Sequence, residues 1–286
     1  MTFPVGLALA EAVPRLPRGR GWWYEPKFDG HRMLMHRTEE TLICQSRSGR
    51  TVTSTWMDLA LAGQAVLRPG TVLDGEAVVW VDGRLDFSAV QARGASSARR
   101  ARELAAEHPA NYIAWDCLMA DGIDLRARPY LERRAALLEV LDGVPPPIQP
   151  TPATDDIEVA LAWYEHLPAQ GIEGVVAKHS TGTYRAGRIW KKIRHAETVD
   201  AQVVGYVGPA GRPKQVAVLL PDGRRVLSQT LTAPLAAEVA RAIAAAGPGR
   251  RARTDGGESY TTTTGLTVEV AAGTTRHAVV TVTRTR

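Results

Sequence analysis

Lysine is scarce in this chain, and its positions point to chemistry. The 286 residues include 30 arginines and five lysines, Lys27, Lys178, Lys191, Lys192 and Lys214. Arginine keeps its proton at any accessible pH, whereas lysine can lose it and become a nucleophile. Lys27 lies in the stretch Glu25-Pro26-Lys27-Phe28-Asp29-Gly30-His31-Arg32. Taken alone, Lys-x-Asp-Gly-x-Arg is as readily a charged surface turn in a hairpin, with the lysine paired to the aspartate. A lysine nucleophile must be neutral to attack, and its ordinary pKa is about 10.4. Nearby cations or desolvation would lower that value, and Lys178, Lys192 and a divalent metal are the candidates if the fold gathers them.

Further short stretches follow in order. They are Ser46-Arg47-Ser48-Gly49-Arg50, then Asp74-Gly75-Glu76 inside an apolar run, then Tyr112 to Leu118 around Trp115-Asp116. Glu173-Gly174-Val175-Val176-Ala177-Lys178 and Trp190-Lys191-Lys192-Ile193-Arg194 complete the series. An acid inside an apolar strand usually has a partner. Glu76 and Glu173 are oxygen ligands of the kind Mg²⁺ accepts, one or two carboxylates with water completing the shell.

This ordered series resembles the covalent nucleotidyltransferase superfamily, and within it the bacterial ATP-dependent DNA ligases of the short, end-joining type, over roughly residues 4–230. The resemblance implies that Lys27 is the nucleophile that carries AMP. It implies that Glu25 accepts a hydrogen bond from the adenine amine; guanine presents a carbonyl there, so a carboxylate would repel GTP. Arg32, Arg47 and Glu76 correspond to ribose and phosphate contacts. Trp115 stands where the family stacks an aromatic on the purine. Lys178 and Lys192 correspond to contacts with the α-phosphate, and Glu76 and Glu173 to metal ligands. ATP and Mg²⁺ (or Mn²⁺) are the implied cofactors. Asp29 and Asp116 would organise the loop and pocket. The family's terminal Arg-x-Asp-Lys-like motif has no counterpart here; Arg276 or Arg284 would have to replace it.

The elements that must position these residues are readable in outline. Gly21–Tyr24 and Met33–His36 read as strand, turn, strand. Leu42–Ser46, Val72–Trp80, Tyr112–Cys117, Gly174–Lys178 and Trp190–Arg194 read as further strands. Ser88–Ala106, Leu131–Leu141 and Ile157–Gln170 have helical spacing, the last stopped by Gly171. Beyond residue 198 the pattern changes to five short strands and one helix, Pro234–Ala246, with a Gly/Arg-rich loop at 247–257. The expected fold is α+β: an ATP-grasp-like nucleotidyltransferase (ligase adenylation) domain at 1–197, then a small OB-type β-barrel at 198–286.

Charge follows the same division. Residues 1–197 carry 24 basic and 24 acidic side chains, and residues 198–286 carry 11 and six, so the whole net charge of +5 lies in the second part. A basic module suits a polyanion held through its phosphates. No apolar run reaches the roughly 20 residues of a membrane span. Two cysteines without ligand or redox spacing fit a reducing cytoplasm, and DNA as substrate implies association with the nucleoid. Twenty-six residues precede Lys27, too few for the helical DNA-encircling domain of larger ligases. Nicked or broken duplex DNA is therefore the expected partner, with an end-binding repair protein assisting. The alternatives are an RNA ligase of the same superfamily, and a nucleic-acid-binding scaffold with a weakened active site; Glu25 argues against GTP-dependent capping.

Overall fold

The first unit, Met1–His195, is built from two sheets whose strands come from interleaved stretches of chain. In the computed structural model, residues 2–194, 198–272 and 280–285 are described. The first unit's elements run β1 (Ala8–Ala12), β2 (Trp22–Lys27), β3 (His31–Arg37), β4 (Leu42–Ser46), α1 (Met57–Val66), β5 (Thr71–Val81), β6 (Arg84–Leu85), α2 (Phe87–Gly94) and α3 (Ala98–Glu107). They continue with β7 (Ala110–Ala120), β8 (Ile123–Asp124), α4 (Tyr130–Val140), β9 (Ile148–Pro150), α5 (Ile157–His166), a 3-10 turn (Leu167–Gln170), β10 (Gly174–His179) and β11 (Gly187–Arg194).

One sheet has the order β1-β11-β10-β2, and the other β4-β3-β5-β7-β8, with β6 and β9 paired to β5 and β7. This corrects the strand-turn-strand reading of residues 21–36. β2 and β3 do not pair with each other: β2 pairs antiparallel with β10, and β3 with β4 and β5. The residues Phe28-Asp29-Gly30 carry the chain from one sheet to the other. Gly30 permits the passage, because a Cβ there would overlap the carbonyl oxygen of Ala77.

Alternation along the strands sorts side chains into layers. On β3, Met33 and Met35 join a core beneath α1 and α2 with Trp56, Leu59 and Tyr112, while Leu34 points the other way. There it meets Val5, Ala8, Val72, Leu118 and Trp190, which hold the two sheets together. A third cluster, with Tyr24, Ala160, Val175 and Ala177, seats α5 on the outer face of the first sheet. The buried Gln45 amide fastens the N-terminal segment, accepting from Val5 N and donating to Val5 O, both at 2.8 Å.

Other expectations are refined. The single helix expected at 88–106 is two, because Asp86 and Ser97 each cap a separate start by accepting from Ala89 N and Arg100 N. The helix stopped by Gly171 holds: α5 tightens into the 3-10 turn, and Gly171 adopts φ 87°. β1 and α1 carry no strong local signal. β1 exists through parallel pairing with β11, nearly 180 residues later, and α1 lacks a side-chain cap.

The second unit, Ala196–Arg286, contains β12 (Thr198–Val207), β13 (Gln215–Leu219), β14 (Arg225–Leu227), α6 (Ala233–Ala246), β15 (Arg251–Arg253), β16 (Ser259–Thr262), β17 (Thr267–Ala272) and β18 (Val280–Thr285). β15 falls in the stretch expected to be loop. β12 pairs with β13 on one side and with β16 and β17 on the other. A bridge from Ser228 to Val280, with Gln229 N donating to Val280 O at 2.7 Å, links the end of β14 to β18. The strands β12-β13-β14-β18-β17 thus form a closed circuit around Val203, Val216, Val218, Val268 and Val270, with Val239 and Ile243 of α6 packed in. Arg276 lies outside the described residues, as does the side chain of Arg284. No helix among the described residues is long and apolar enough to cross a membrane.

The first unit also buries an ion pair that ties α4 to β7. Arg133 donates to both oxygens of Asp116 at 2.7 and 3.0 Å, and to the carbonyls of Arg128 and Gly182. Both side chains are fully buried. Removing one partner strands a charge, so Arg133→Ala is expected to cost about 3–5 kcal/mol in chemical denaturation. Replacing both residues by apolar ones of similar size should cost clearly less than Arg133→Ala alone.

Candidate active site

Lys27 ends β2, at the point where the chain leaves its sheet. Its backbone carbonyl accepts from Glu173 N at 2.8 Å, which places the Glu173 side chain opposite the lysine. Lys27 Nζ donates to Glu173 Oε2 and to Phe28 O (3.3 Å), and Arg194 Nη1 donates to the other oxygen, Oε1, at 2.7 Å. Gly174 sits between Lys27 and Arg194 in register, and a Cβ there would overlap the Ile193 carbonyl. Burial pushes the Glu173 carboxyl up, but Lys27 and Arg194 together outweigh it and hold the group below its usual range.

The second wall comes from β5. Asp74 and Glu76 alternate onto the face that meets the first sheet, and Gly75 between them faces away. A Cβ on Gly75 would crowd Tyr112, whose hydroxyl donates to Met33 O and Leu73 O. Arg32 Nε and Nη2 grip Asp74 at 2.8 and 2.6 Å, Tyr184 OH donates to Asp74 Oδ2 at 2.6 Å, and Arg32 Nη2 also reaches Ala8 O. Glu76 is different. Burial raises its pKa to about 7 although Lys27 and Arg32 pull it down.

β7 supplies Trp115 through an irregularity. Asp74 is opposite Asp116 and Gly75 opposite Ala114, so Trp115 is an extra residue in β7. Such a bulge re-aims a side chain. Trp115 turns toward the cavity, its ring carrying the Arg32 guanidinium at 4.7 Å. Its indole N–H is buried without an acceptor.

Lys178 is not brought to Lys27. On β10 it lies opposite Trp23, four positions along from Gly174, the partner of Lys27; that is about 13 Å at strand rise. It donates to Glu25 Oε1 and Oε2 at 3.0 and 2.8 Å and to Trp115 O at 2.9 Å, while Tyr130 OH donates to Glu25 Oε1 at 2.7 Å. Its ammonium lies 4.3 Å from the centre of the Trp190 ring. Lys192 is the lysine near Lys27. Burial first, then Arg194 and Lys27, lower its pKa to about 8.

Glu25, Lys27, Arg32, Arg47, Glu76, Trp115, Glu173, Lys178 and Lys192 all line one cavity of about 730 Å³. The nine residues expected to hold the nucleotide or the metal thus share it, and Asp29 lines it too; Asp116 does not. Its wall holds eight cationic and four anionic side chains. Lys27 and Arg194 share Glu173, Lys178 has Glu25, and Arg32 has Asp74. Among the described residues Arg47, Arg50, Arg188 and Lys192 have no carboxylate partner. Tyr130, Tyr184 and Arg188 escaped the sequence reading, as did the pairing of Asp74 with Arg32. Arg188 had a signal: Arg188, Trp190, Lys192 and Arg194 alternate on one face of β11, and all four line the cavity.

Two carboxylates, Glu76 and Glu173, fit a divalent cation. Glu76 is the stronger observation, a buried carboxyl whose charge the neighbouring cations only partly balance. Among the described residues no group of three or more His, Cys, Asp or Glu could enclose a metal. That suits an ion held by one or two carboxylates together with water and substrate oxygens.

Comparison with known proteins agrees with this geometry. Residues 8–194 match the ATP-dependent DNA ligase domain family. The chain is 37% identical over 204 residues to DNA ligase C2 of Mycolicibacterium smegmatis, covering 71% of this chain and 57% of that protein. It is likewise 37% identical over 208 residues to DNA ligase C of Mycobacterium tuberculosis, covering 71% and 58%. The chain therefore spans under two thirds of the length of these relatives. The ligase domain of M. tuberculosis LigD superposes with a TM-score of 0.57 at 23% identity, over 99% of this chain and 95% of that one. A Lig E DNA ligase gives 0.60 at 18% identity, over 98% and 99%. The fold is that of the nucleotidyltransferase domain of ATP-dependent ligases. The chain belongs to the ATP-dependent DNA ligase family.

Glu76 predicts a pH effect. Its folded pKa of about 7 lies above the ordinary glutamate value, so stability falls as pH rises from the mid-4s to about 7 and stays reduced above. Glu76→Gln lacks that loss. Denaturant midpoints at pH 8 should favour the variant by on the order of 2–3 kcal/mol, and the difference should vanish at pH 4.

Proposed function

We propose that this chain is the catalytic core of an ATP-dependent DNA ligase that joins strands through AMP carried on Lys27. The carrying observation is the position of Lys27: on the crossing between two sheets, against Glu173, with Lys192 and Arg194 beside it, in a cavity whose other end holds the buried Glu25–Lys178 pair.

The first step forms a bond from Lys27 Nζ to the α-phosphorus of ATP as the bond to pyrophosphate breaks, giving a phosphoramidate. The second passes AMP to a 5′-phosphate and frees the lysine. In the third a 3′-hydroxyl attacks the activated 5′-phosphate, and AMP leaves. Lys192, Arg194 and Arg47 supply fixed positive charge where the transferring phosphoryl accumulates negative charge. A divalent cation held by Glu76 and Glu173 would add charge there and, by engaging Glu173, favour the neutral amine of Lys27. Glu25 accepts the adenine amine. The pairing of Lys178 with Glu25 supports a role at the purine, orienting that carboxylate, rather than at the α-phosphate. Trp115 and Arg32 form the wall along the ribose and base.

The second unit reads as an OB-type module. Its closed strand circuit with one inserted helix supports this, and its excess of basic residues suits duplex phosphates. Nicked or broken duplex DNA is the substrate of this reading, at the nucleoid, with an end-binding repair protein as the partner that would raise local concentration.

The test is intact mass. Protein stripped of bound AMP and incubated with ATP and Mg²⁺ should gain one AMP, and Lys27→Ala should gain none. GTP should give no adduct. Sealing of nicked DNA but not nicked RNA completes the case; an unmodified wild type would leave the chain as a binding scaffold.

A further inference from the structure

One end of the cavity is held by a residue that does not line it. Tyr130 is buried and stands outside the cavity wall, yet it bonds to Glu25, which lines the cavity. It is the first residue of α4, directly after Pro129. Contacts from the next residues fix this helix start. Leu131 N donates to Ser180 O at 3.2 Å, and Arg133 donates to Gly182 O of the same turn while gripping Asp116 of β7. The Tyr130 ring is thereby held with its centre 5.1 Å from the Lys178 ammonium, and its hydroxyl donates to Glu25 Oε1 at 2.7 Å. Burial first, then the Glu25 charge, hold the phenol well above the ordinary tyrosine range, so it stays a donor.

Hydrogen-bond capacity at this end is nearly spent. A carboxylate has about four lone-pair positions, and an ammonium three protons. Glu25 Oε1 uses both of its positions, on Tyr130 and on Lys178 at 3.0 Å, and Oε2 uses one, on Lys178 at 2.8 Å. Among the described residues the Glu25 side chain accepts from nothing else, so one position on Oε2 stays open. Lys178 gives its protons to the two Glu25 oxygens and to Trp115 O at 2.9 Å. We propose that Tyr130 is a positioning residue for nucleobase selection, locking Glu25 so that the Glu25–Lys178 pair presents one acceptor and no donor to the purine. This rests on the reading of Glu25 as the acceptor of the adenine amine. An amine finds the open lone pair. A carbonyl in its place meets a carboxylate, and neither Lys178 nor Tyr130 has a proton left to give it. Without the Tyr130 hydroxyl, Oε1 loses a donor in a buried site, and the carboxylate is freer to turn about its soft terminal torsion. The acceptor aimed at the amine then loses its fixed direction.

The full chain, stripped of bound AMP and kept in EDTA, is titrated calorimetrically with ATP and with purine riboside 5′-triphosphate, which has hydrogen in place of the amine. Wild type should bind ATP about tenfold more tightly, the scale of a hydrogen bond to a charged group. Tyr130→Phe keeps the ring and removes one oxygen. It should weaken ATP binding by roughly fivefold to tenfold and change purine riboside triphosphate binding by less than about twofold. The pair of nucleotides isolates the contact with the amine, because a general loosening of the pocket would weaken both alike. With Mg²⁺ and saturating ATP, Tyr130→Phe should form the AMP adduct within about twofold of the wild-type rate, since Tyr130 touches no reacting atom. The proposal is overturned if wild type does not distinguish the two nucleotides, if Tyr130→Phe weakens both equally or neither, or if the adduct rate at saturation falls as far as the affinity. A wild type that binds ATP but forms no adduct would instead sink the ligation reading, and the nucleobase comparison is measured independently of it.

Discussion

The passage of the chain from one sheet to the other at Phe28-Asp29-Gly30 is the constraint on which the site depends. A hairpin there would have put Lys27 on a surface turn, where its amine would stay solvated. Because β2 and β3 belong to different sheets, the lysine stands at the mouth of the space between them. Two close backbone approaches fix it. Gly30 lies against the Ala77 carbonyl, and Glu173 N donates to the Lys27 carbonyl. The first aligns the lysine with β5 and its acids; the second aligns it with Glu173. Neither contact involves a reacting atom, yet together they set the distances among those that react.

The ion pairs show a division of labour. Arg32–Asp74 and Lys178–Glu25 are largely buried and hydrogen-bonded on several sides, so their geometry is held by the fold. Their net contribution to stability is small, since desolvation offsets much of the attraction. What they supply is fixed orientation at an otherwise soft surface. The cations without carboxylates differ: among the described residues Arg47, Arg50, Arg188 and Lys192 face the cavity with no acid to offset them. Glu76 is the opposite case, a carboxyl whose burial the neighbouring cations only partly balance.

The site was legible where its residues form continuous motifs. Lys27 with its acid and arginine, Glu76 after Gly75, and Lys192 and Arg194 after Trp190 each belong to one short string, and all of them line the cavity. The parts that escaped depend on distant pairing. That β2 and β3 separate follows from β10 and β5 capturing them, and nothing in residues 21–36 encodes it. β1 is held by a strand nearly 180 residues away. The bulge that turns Trp115 into the cavity is a mismatch of register between β5 and β7, invisible in either strand alone. Lys178 is singled out by its type; that it pairs with Glu25 follows from its four-residue offset along β10, which no local pattern shows. The helices were legible in outline, and their boundaries followed from Asp86, Ser97 and Gly171 rather than from hydrophobic spacing.

The interleaving of strands has a consequence for biosynthesis. The β3–β9 sheet uses residues 31–150 and can pair as soon as they emerge from the ribosome. The sheet bearing Lys27 draws on residues 8–12, 22–27, 174–179 and 187–194. Its two early strands have no partners until the last two are made, and such non-local pairing is slow because the long intervening loop must close first. For most of translation Lys27 therefore hangs beside a finished half-wall, without Glu173, Lys192 or Arg194. A nascent chain cannot assemble the pocket early, and a truncated product ending before residue 174 would carry Lys27 but neither β10 nor β11 to wall the cavity.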